Sequence, residues 1–425
     1  MLKYIYKVAR FKVANSFEVQ KLSSKLENMI NRKILILFLY LNAFITNTEG
    51  QTITRLDNSK ISFVDLNSKI QSLVDAANVQ GLAISIFNKN EPVYKKTFGY
   101  KNFKTKEPLK TSTNIYGASL SKSLFAVLVM KLLDEGLLNL DKPLQDYLPK
   151  PIYEYTPSKK WHDNYSDLKG DSLYKKITAR MCLDHTTGFP NWRWIEEDRK
   201  LRVKFVPGSR YSYSGEGLVY LQVVLEYMLN KSLEELAKDK VFGPIGMNRS
   251  AYTWKAEYED DYCFGHNASG ELYEKDKDND ARSASTLETT LDDYTLFLRA
   301  VLQNKVLKPS TTKEMFTPQI GIRSVKQFGP LSRVDSTAND GIQLSYGLGW
   351  GLLQSPYGTG AFKEGHGDGF QHYSIIFPRS GTGILIMSNS DNAEGIFKEL
   401  LQITIGDSFT PWYWENYFPY NNQKN

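Results

Sequence analysis

The sequence predicts an α/β (α+β) fold whose sheet draws its strands from both ends of the chain and encloses a helical insertion. Three observations predict it. Strand-like runs stand early, at 81–87 and 93–100. Others return late, at 344–352, 373–377 and 382–387. Between the two sets the apolar residues recur with helical spacing.

In chain order, 64–77 carries the apolar spacing of an amphipathic helix. Gly81 to Phe87 and Val93 to Tyr100 read as strands, joined by a turn over Asn88 to Pro92. A long apolar helix follows Ser119 and stops at Gly136. Residues 150–210 are loop-rich, charged and aromatic. Helices are expected at 218–229, 233–240 and 291–302, and a closing helix at 393–405. Residues 1–50 then form a leader and 51–425 a single folded region. Within that region 55–115 and 300–410 supply the α/β part, and 116–299 the mostly helical part. The aromatic tail from Trp412 to Tyr420 is expected to pack onto the body.

The formal charge of +6 belongs to the leader. Its first 50 residues hold eight Lys or Arg against three Asp or Glu, while the rest balances 45 against 44. No basic face for nucleic acid is indicated. Ile34 to Ile45 is a short apolar core preceded by Arg32 and Lys33 and followed by small residues. That is the pattern of a signal peptide, since a membrane span needs roughly 20 apolar residues. Met29 is a candidate true start. The expected outcome is an exported, periplasmic or secreted protein, with an uncleaved leader as the one route to a membrane. Cys182 and Cys263 are expected as buried free thiols, with a disulfide as the alternative. The five histidines show no ligand spacing, so neither a metal nor another cofactor is expected.

Four segments read Ser-x-x-Lys, starting at Ser119, Ser166, Ser172 and Ser310. Only Ser119-Leu120-Ser121-Lys122 opens a long apolar helix. A serine there lies at the positive end of the helix dipole, and a lysine three residues on shares its face. Desolvated, that lysine can lose its proton and activate the hydroxyl without a histidine. The alternative role for Ser119 is a helix cap.

At this point the chain resembles the serine β-lactamase and penicillin-binding-protein superfamily, nearest the class C β-lactamase, DD-peptidase and esterase branch. The resemblance runs in order through 64–405. It is carried by Gly81 to Ile86, Tyr116 to Lys122, Leu133 to Leu144, Leu183 to Pro190 and Phe242 to Met247. It implies a β-lactamase/transpeptidase-like fold, an antiparallel sheet flanked by helices beside a helical subdomain.

The family's second motif, Tyr-x-Asn after a Pro-Gly, is matched by Tyr213-Ser214-Gly215 after Pro207-Gly208. Tyr213 would shuttle protons, with Tyr211 as competitor, and Gly215 replaces an asparagine that would bind substrate. The third motif is Lys or His, then Thr or Ser, then Gly. It is read at His366-Gly367-Asp368-Gly369. His366 and Gly367 would contact substrate, and the amides of Gly369 and Ser119 would form the oxyanion hole. Asp368 stands where glycine is usual and is expected to disfavour substrate carboxylates. His185 is read as a structural marker. The resemblance implies an exported hydrolase acting through an acyl-serine on an ester, amide or β-lactam carbonyl of a small molecule or peptide. The alternative is a non-hydrolytic or slowly acylated binding protein on the same fold.

Overall fold

In the computed structural model, residues 51–160, 162–277 and 280–422 are described. The leader, with its apolar core and Met29, lies outside them. The chain divides into two units, 1–52 with 62–64, and 53–61 with 65–425. The second carries the sheet and the candidate site.

Nine strands form one sheet. In chain order they are β1 (Gly81–Asn88), β2 (Glu91–Asn102), β3 (Glu107–Pro108), β4 (Ile320–Gly321), β5 (Ser345–Tyr346), β6 (Gly351–Ser355), β7 (Gly358–Gly367), β8 (Phe370–Phe377) and β9 (Thr382–Ser388). Their spatial order is β3-β2-β1-β9-β8-β7-β6-β5-β4, with every pairing antiparallel. The expected sheet from both ends is therefore present, joined at its centre where β1 meets β9. β8 and β9 are buried along their whole length, because both sheet faces are covered. Ala83, Phe87, Leu385 and Met387 face the main core. Their alternates Ile84, Ile86, Ile384 and Ile386 turn to the other face, where Phe397 meets Tyr373 at 6.4 Å.

Helices among the described residues include α1 (Phe63–Ala76), α2 (Leu120–Asp134), α3 (Ala179–Leu183), α4 (Gly215–Leu229), α5 (Leu291–Leu302) and α6 (Phe397–Thr404). Twelve of the 15 residues of α2 are buried, so it is the central helix of the core rather than an amphipathic surface one. It ends where the glycine signal placed the end. Gly136 adopts φ +72°, and the amides of Gly136 and Leu137 return to Leu133 and Leu132.

Three expected elements differ. The helix over 233–240 is only Leu233–Ala237 before it widens into a π-turn at Lys238–Phe242. The strand over 344–352 is broken, because Gly349 turns at φ +84° and lets the backbone pass Ala126 of α2. The closing helix begins as a 3₁₀ turn at Ala393–Ile396 and becomes α6 only at Phe397. Both cysteines are free and buried. In the tail Trp414 is fully buried, whereas Tyr413 and Phe418 are exposed.

Candidate active site

Ser119 stands at the start of α2, on a turn that the surrounding chain holds tight. Ala118 before it adopts φ +46°, a left-handed conformation that costs a non-glycine residue roughly 1–2 kcal/mol. Gly117 N–H donates to Leu287 O at 2.7 Å, and Leu287 N–H donates to Ser121 Oγ at 3.0 Å. The short strands Ile115–Tyr116 and Glu288–Thr289 pair beside this clasp. Ser119 is half-buried, and its side chain makes no cap bond to α2. Its Oγ faces Lys122 instead.

Lys122 is fully buried, with Nζ 2.8 Å from Ser119 Oγ and 2.6 Å from Ala284 O. Burial, with the nearby charge of Lys363, holds its amine well below the usual lysine range. A neutral amine donates to Ala284 O and keeps a lone pair for the serine proton.

Tyr213 stands on the other side of Lys122, whose Nζ is 4.9 Å from the phenol ring. Burial, and then the carboxylate of Glu364, push its phenol well above the usual range. Tyr213 therefore rests protonated, and Lys122 is the group fit to take the first proton. His185 stacks on Tyr213 with ring centroids 4.3 Å apart, and its Nδ1 accepts from Ser214 N–H at 3.1 Å. It fixes the loop rather than the chemistry. Tyr211 packs on Tyr346 and Trp414, away from the serine.

The third motif falls in a different register from the one read in the sequence. Lys363, not His366, approaches the tyrosine, with Nζ donating to Tyr213 Oη at 3.2 Å. Lys363 is paired with Glu364 at 3.0 Å, and Glu364 also accepts from Gln327 at 2.7 Å. The His366 imidazole instead contacts Glu394 and lies edge-on to Tyr417, with 44% of the side chain exposed. Gly367 serves close packing, since a Cβ there would come within 2.5 Å of the Tyr116 ring. Asp368 is exposed in the turn between β7 and β8. Gly369, at φ +74°, donates its amide to Asp391 at 3.0 Å, so that amide is engaged away from any oxyanion.

Strand geometry names a replacement. The turn Asp368–Gly369 closes the pair Gly367↔Phe370, which makes Gly365↔His372 the next hydrogen-bonded pair. The amide of the intervening His366 then points to the opposite edge of β7. Pairing with β6 stops at Phe362, so from Lys363 onward that edge of β7 is not paired by β6.

Gly215 opens α4, and the space of an asparagine side chain there is taken. A Cβ on Gly215 would lie 2.6 Å from the Trp192 ring. That ring stands 5.9 Å from Lys122 Nζ and stacks on Trp194 at 4.5 Å. Lys363 carried a readable signal, because Lys363-Glu364-Gly365 has the same Lys-x-Gly spacing as the motif sought. Trp192 had none, being 23 residues from Gly215 in the sequence. The decoy serines 166, 172 and 310 are all exposed.

A half-exposed serine, a buried lysine of lowered basicity one helical turn on, a buried tyrosine and a second buried lysine on a strand of an antiparallel sheet define a class. The chain belongs to the Beta-lactamase family, whose profile matches residues 66–403. It is 25% identical over 321 residues to penicillin-binding protein 4* of Bacillus subtilis, covering 68% of this chain and 62% of that protein. It is 24% identical over 334 residues to a lovastatin esterase of Penicillium rubens, covering 68% and 82%. The octameric penicillin-binding protein homologue from Pyrococcus abyssi superposes with a TM-score of 0.64 at 21% identity, over 83% of this chain and 79% of that one. These relatives support a hydrolase of the serine β-lactamase kind on the β-lactamase fold.

Proposed function

We propose that this chain is an exported serine hydrolase that works through an acyl-serine. The observation that carries the reading is the buried Lys122 amine, 2.8 Å from Ser119 Oγ and lowered in basicity by its surroundings. Lys122 takes the Ser119 proton as Oγ attacks the carbonyl. The amides of Ser119 and His366 hold the oxyanion, the latter in place of Gly369. Tyr213 protonates the leaving group and recovers its proton from Lys122, with Lys363 steadying the charge on its oxygen. Water then releases the acyl group by the reverse route. Export rests on the basic, apolar leader alone.

The charge argument moves with the register. Glu364 occupies the place where the resemblance implies Thr or Ser, beside Lys363, while Asp368 is exposed and screened. A carboxylate there offsets the lysine that would attract a substrate carboxylate. Neutral esters or amides are therefore favoured over penicillins and D-alanyl peptides. A fluorophosphonate should label Ser119, and a short p-nitrophenyl ester should be turned over faster than nitrocefin. Labelling without turnover of any ester would leave the binding-protein reading, which the loss of the family's asparagine amide at position 215 favours. Faster turnover of nitrocefin would refute the charge argument.

A further inference from the structure

The loop that carries Trp192 and Trp194 is built as a rigid part of the site. Arg193, between them, forms a two-pronged ion pair with Glu216, its Nε 2.8 Å from Oε1 and its Nη2 2.7 Å from Oε2. Both side chains are buried. The Arg193 amide donates to the same carboxylate at 2.8 Å. Gly215 N–H donates to Asn191 Oδ1 at 3.1 Å, and Glu216 N–H to Asn191 O at 3.0 Å. Five hydrogen bonds thus clamp 191–193 onto the first turn of α4, two residues after Tyr213. A buried, bidentate carboxylate–guanidinium pair of this kind fixes geometry as well as charge.

The clamp holds two indoles face to face, 4.5 Å apart and 13° from parallel. The inner one, Trp192, lies beside Lys122 in the volume that Gly215 leaves open. The outer one, Trp194, is 41% exposed, and its neighbour Ile195 is 64% exposed. Ile195 also lines a cleft of about 800 Å³ beside Tyr213, together with Phe328 and Pro330. An aromatic ledge therefore runs from beside Lys122 outward to solvent. Trp194 and Ile195 are adjacent exposed apolar side chains continuous with the Trp192 ring, and a contiguous wall of this kind gains by being covered by a ligand.

Around Ser119 the remaining sides are assigned by the mechanism. The oxyanion points to the open edge of β7. The leaving group departs toward Tyr213 and Lys363. The acyl substituent is left with the wall made by Trp192. We infer that the Trp192–Trp194 ledge is the acyl-group subsite and selects substrates whose acyl part is bulky, flat and apolar. The inference rests on the acyl-serine reading above. Replacing a hydrogen-bonding amide by an indole face exchanges recognition of a polar acyl amide for stacking. Aromatic contacts of this type contribute roughly 0.5–1.5 kcal/mol each, or about 2- to 13-fold in rate if made in the transition state.

The test holds the leaving group constant and varies the acyl part. kcat/KM is measured for p-nitrophenyl acetate and p-nitrophenyl 3-phenylpropionate, and separately for methyl and benzyl acetate. The wild type should prefer the phenylpropionyl ester over the acetyl one by roughly 10-fold or more, with little preference between the two acetates. Trp194→Ala should cut the acyl ratio by about 2- to 13-fold. Gly215→Asn, which pushes into the Trp192 ring, should also move the ratio toward acetate. Trp192→Phe should retain more of the ratio than Trp192→Ala. A general loss of folded protein lowers both rates together and leaves the ratio unmoved. If Trp192→Ala does not fold, the exposed Trp194→Ala still decides. Turnover with an acyl ratio near unity, or a ratio unchanged in Trp194→Ala, overturns the ledge and leaves the hydrolase standing. A preference confined to the alcohol side also overturns it. No turnover of any ester together with no fluorophosphonate labelling overturns both.

Discussion

Replacing Lys363 tests the register of the third motif and the electrostatics of the whole site. Its ammonium lies 3.2 Å from Tyr213 Oη, within the charge shared among Tyr213, Lys122 and the serine. At an effective dielectric of about 20, a unit charge pair at that distance interacts by roughly 5 kcal/mol, and half a charge on the tyrosine oxygen by roughly half of that. Lys363→Met should therefore cost about 100-fold in kcat/KM on a p-nitrophenyl ester. A second effect acts in the same direction. Lys363 helps to hold the Lys122 amine below its usual range, so its removal raises that basicity. The acid limb of the rate profile should move to higher pH. The variant also leaves Glu364 buried without its cation, a change that destabilises by about 3–5 kcal/mol. The double variant Lys363→Met/Glu364→Gln removes both charges, and it should recover the urea midpoint without recovering the rate. The assay is kcat/KM from about pH 6 to 10, with urea unfolding alongside. If the double variant turns over at the wild-type rate, or if His366→Ala falls further than Lys363→Met, the assignment is wrong.

Ser119→Ala should abolish fluorophosphonate labelling while leaving the free energy of unfolding in urea within about 0.5 kcal/mol of wild type, because the hydroxyl makes no cap bond to α2; wild-type turnover by this variant refutes the nucleophile. Lys122→Met should lose acylation and unfold at equal or higher urea. A lysine whose folded pKa is lowered binds fewer protons folded than unfolded, so its burial costs stability at neutral pH, and that cost fades as pH rises toward the unfolded value of about 10.4. A midpoint that falls at pH 7 contradicts the neutral amine. Tyr213→Phe should lower kcat by about 100- to 10,000-fold with little change in KM, whereas Tyr211→Phe should be far milder. The reverse order moves the motif by two residues.

The parts of the fold that were legible are those where local chemistry decides. The run from Leu120 to Leu132 could only be a buried helix, and the Gly136 stop needed nothing beyond its own φ. Ser119 was separable from Ser166, Ser172 and Ser310 because only it opens such a helix. Tyr213 was separable from Tyr211 by its spacing from Pro207-Gly208. What stayed hidden depends on strand phase and on distant contacts. Lys363 and His366 sit three apart on one strand, on opposite faces, and glycine follows each within two residues. Composition cannot tell which face meets the tyrosine. Gly369 resembles an oxyanion residue in sequence, yet its left-handed turn delivers the amide to Asp391. The replacement of a side chain at Gly215 by the Trp192 ring is a tertiary event with no local trace.

The departures from the family pattern make one consistent site. Burial holds the Lys122 amine well below the usual lysine range and the Tyr213 phenol well above its own, and Lys363 and Glu364 offset each other. On the proposed mechanism, attack creates one oxyanion and one lysine ammonium within a buried space, and each stabilises the other as they form. A substrate that brought its own carboxylate would upset that balance. It would meet Glu364 next to the lysine that ought to receive it, and would lose its hydration against an indole wall. A neutral acyl group loses nothing by that exchange and gains a flat apolar surface held in place by the Arg193–Glu216 clamp. Glu364 in place of a hydroxyl residue and Gly215 in place of an amide thus act in the same direction. Each removes a polar handle for a charged or peptide-like substrate, and Trp192 supplies an apolar one in the space that results.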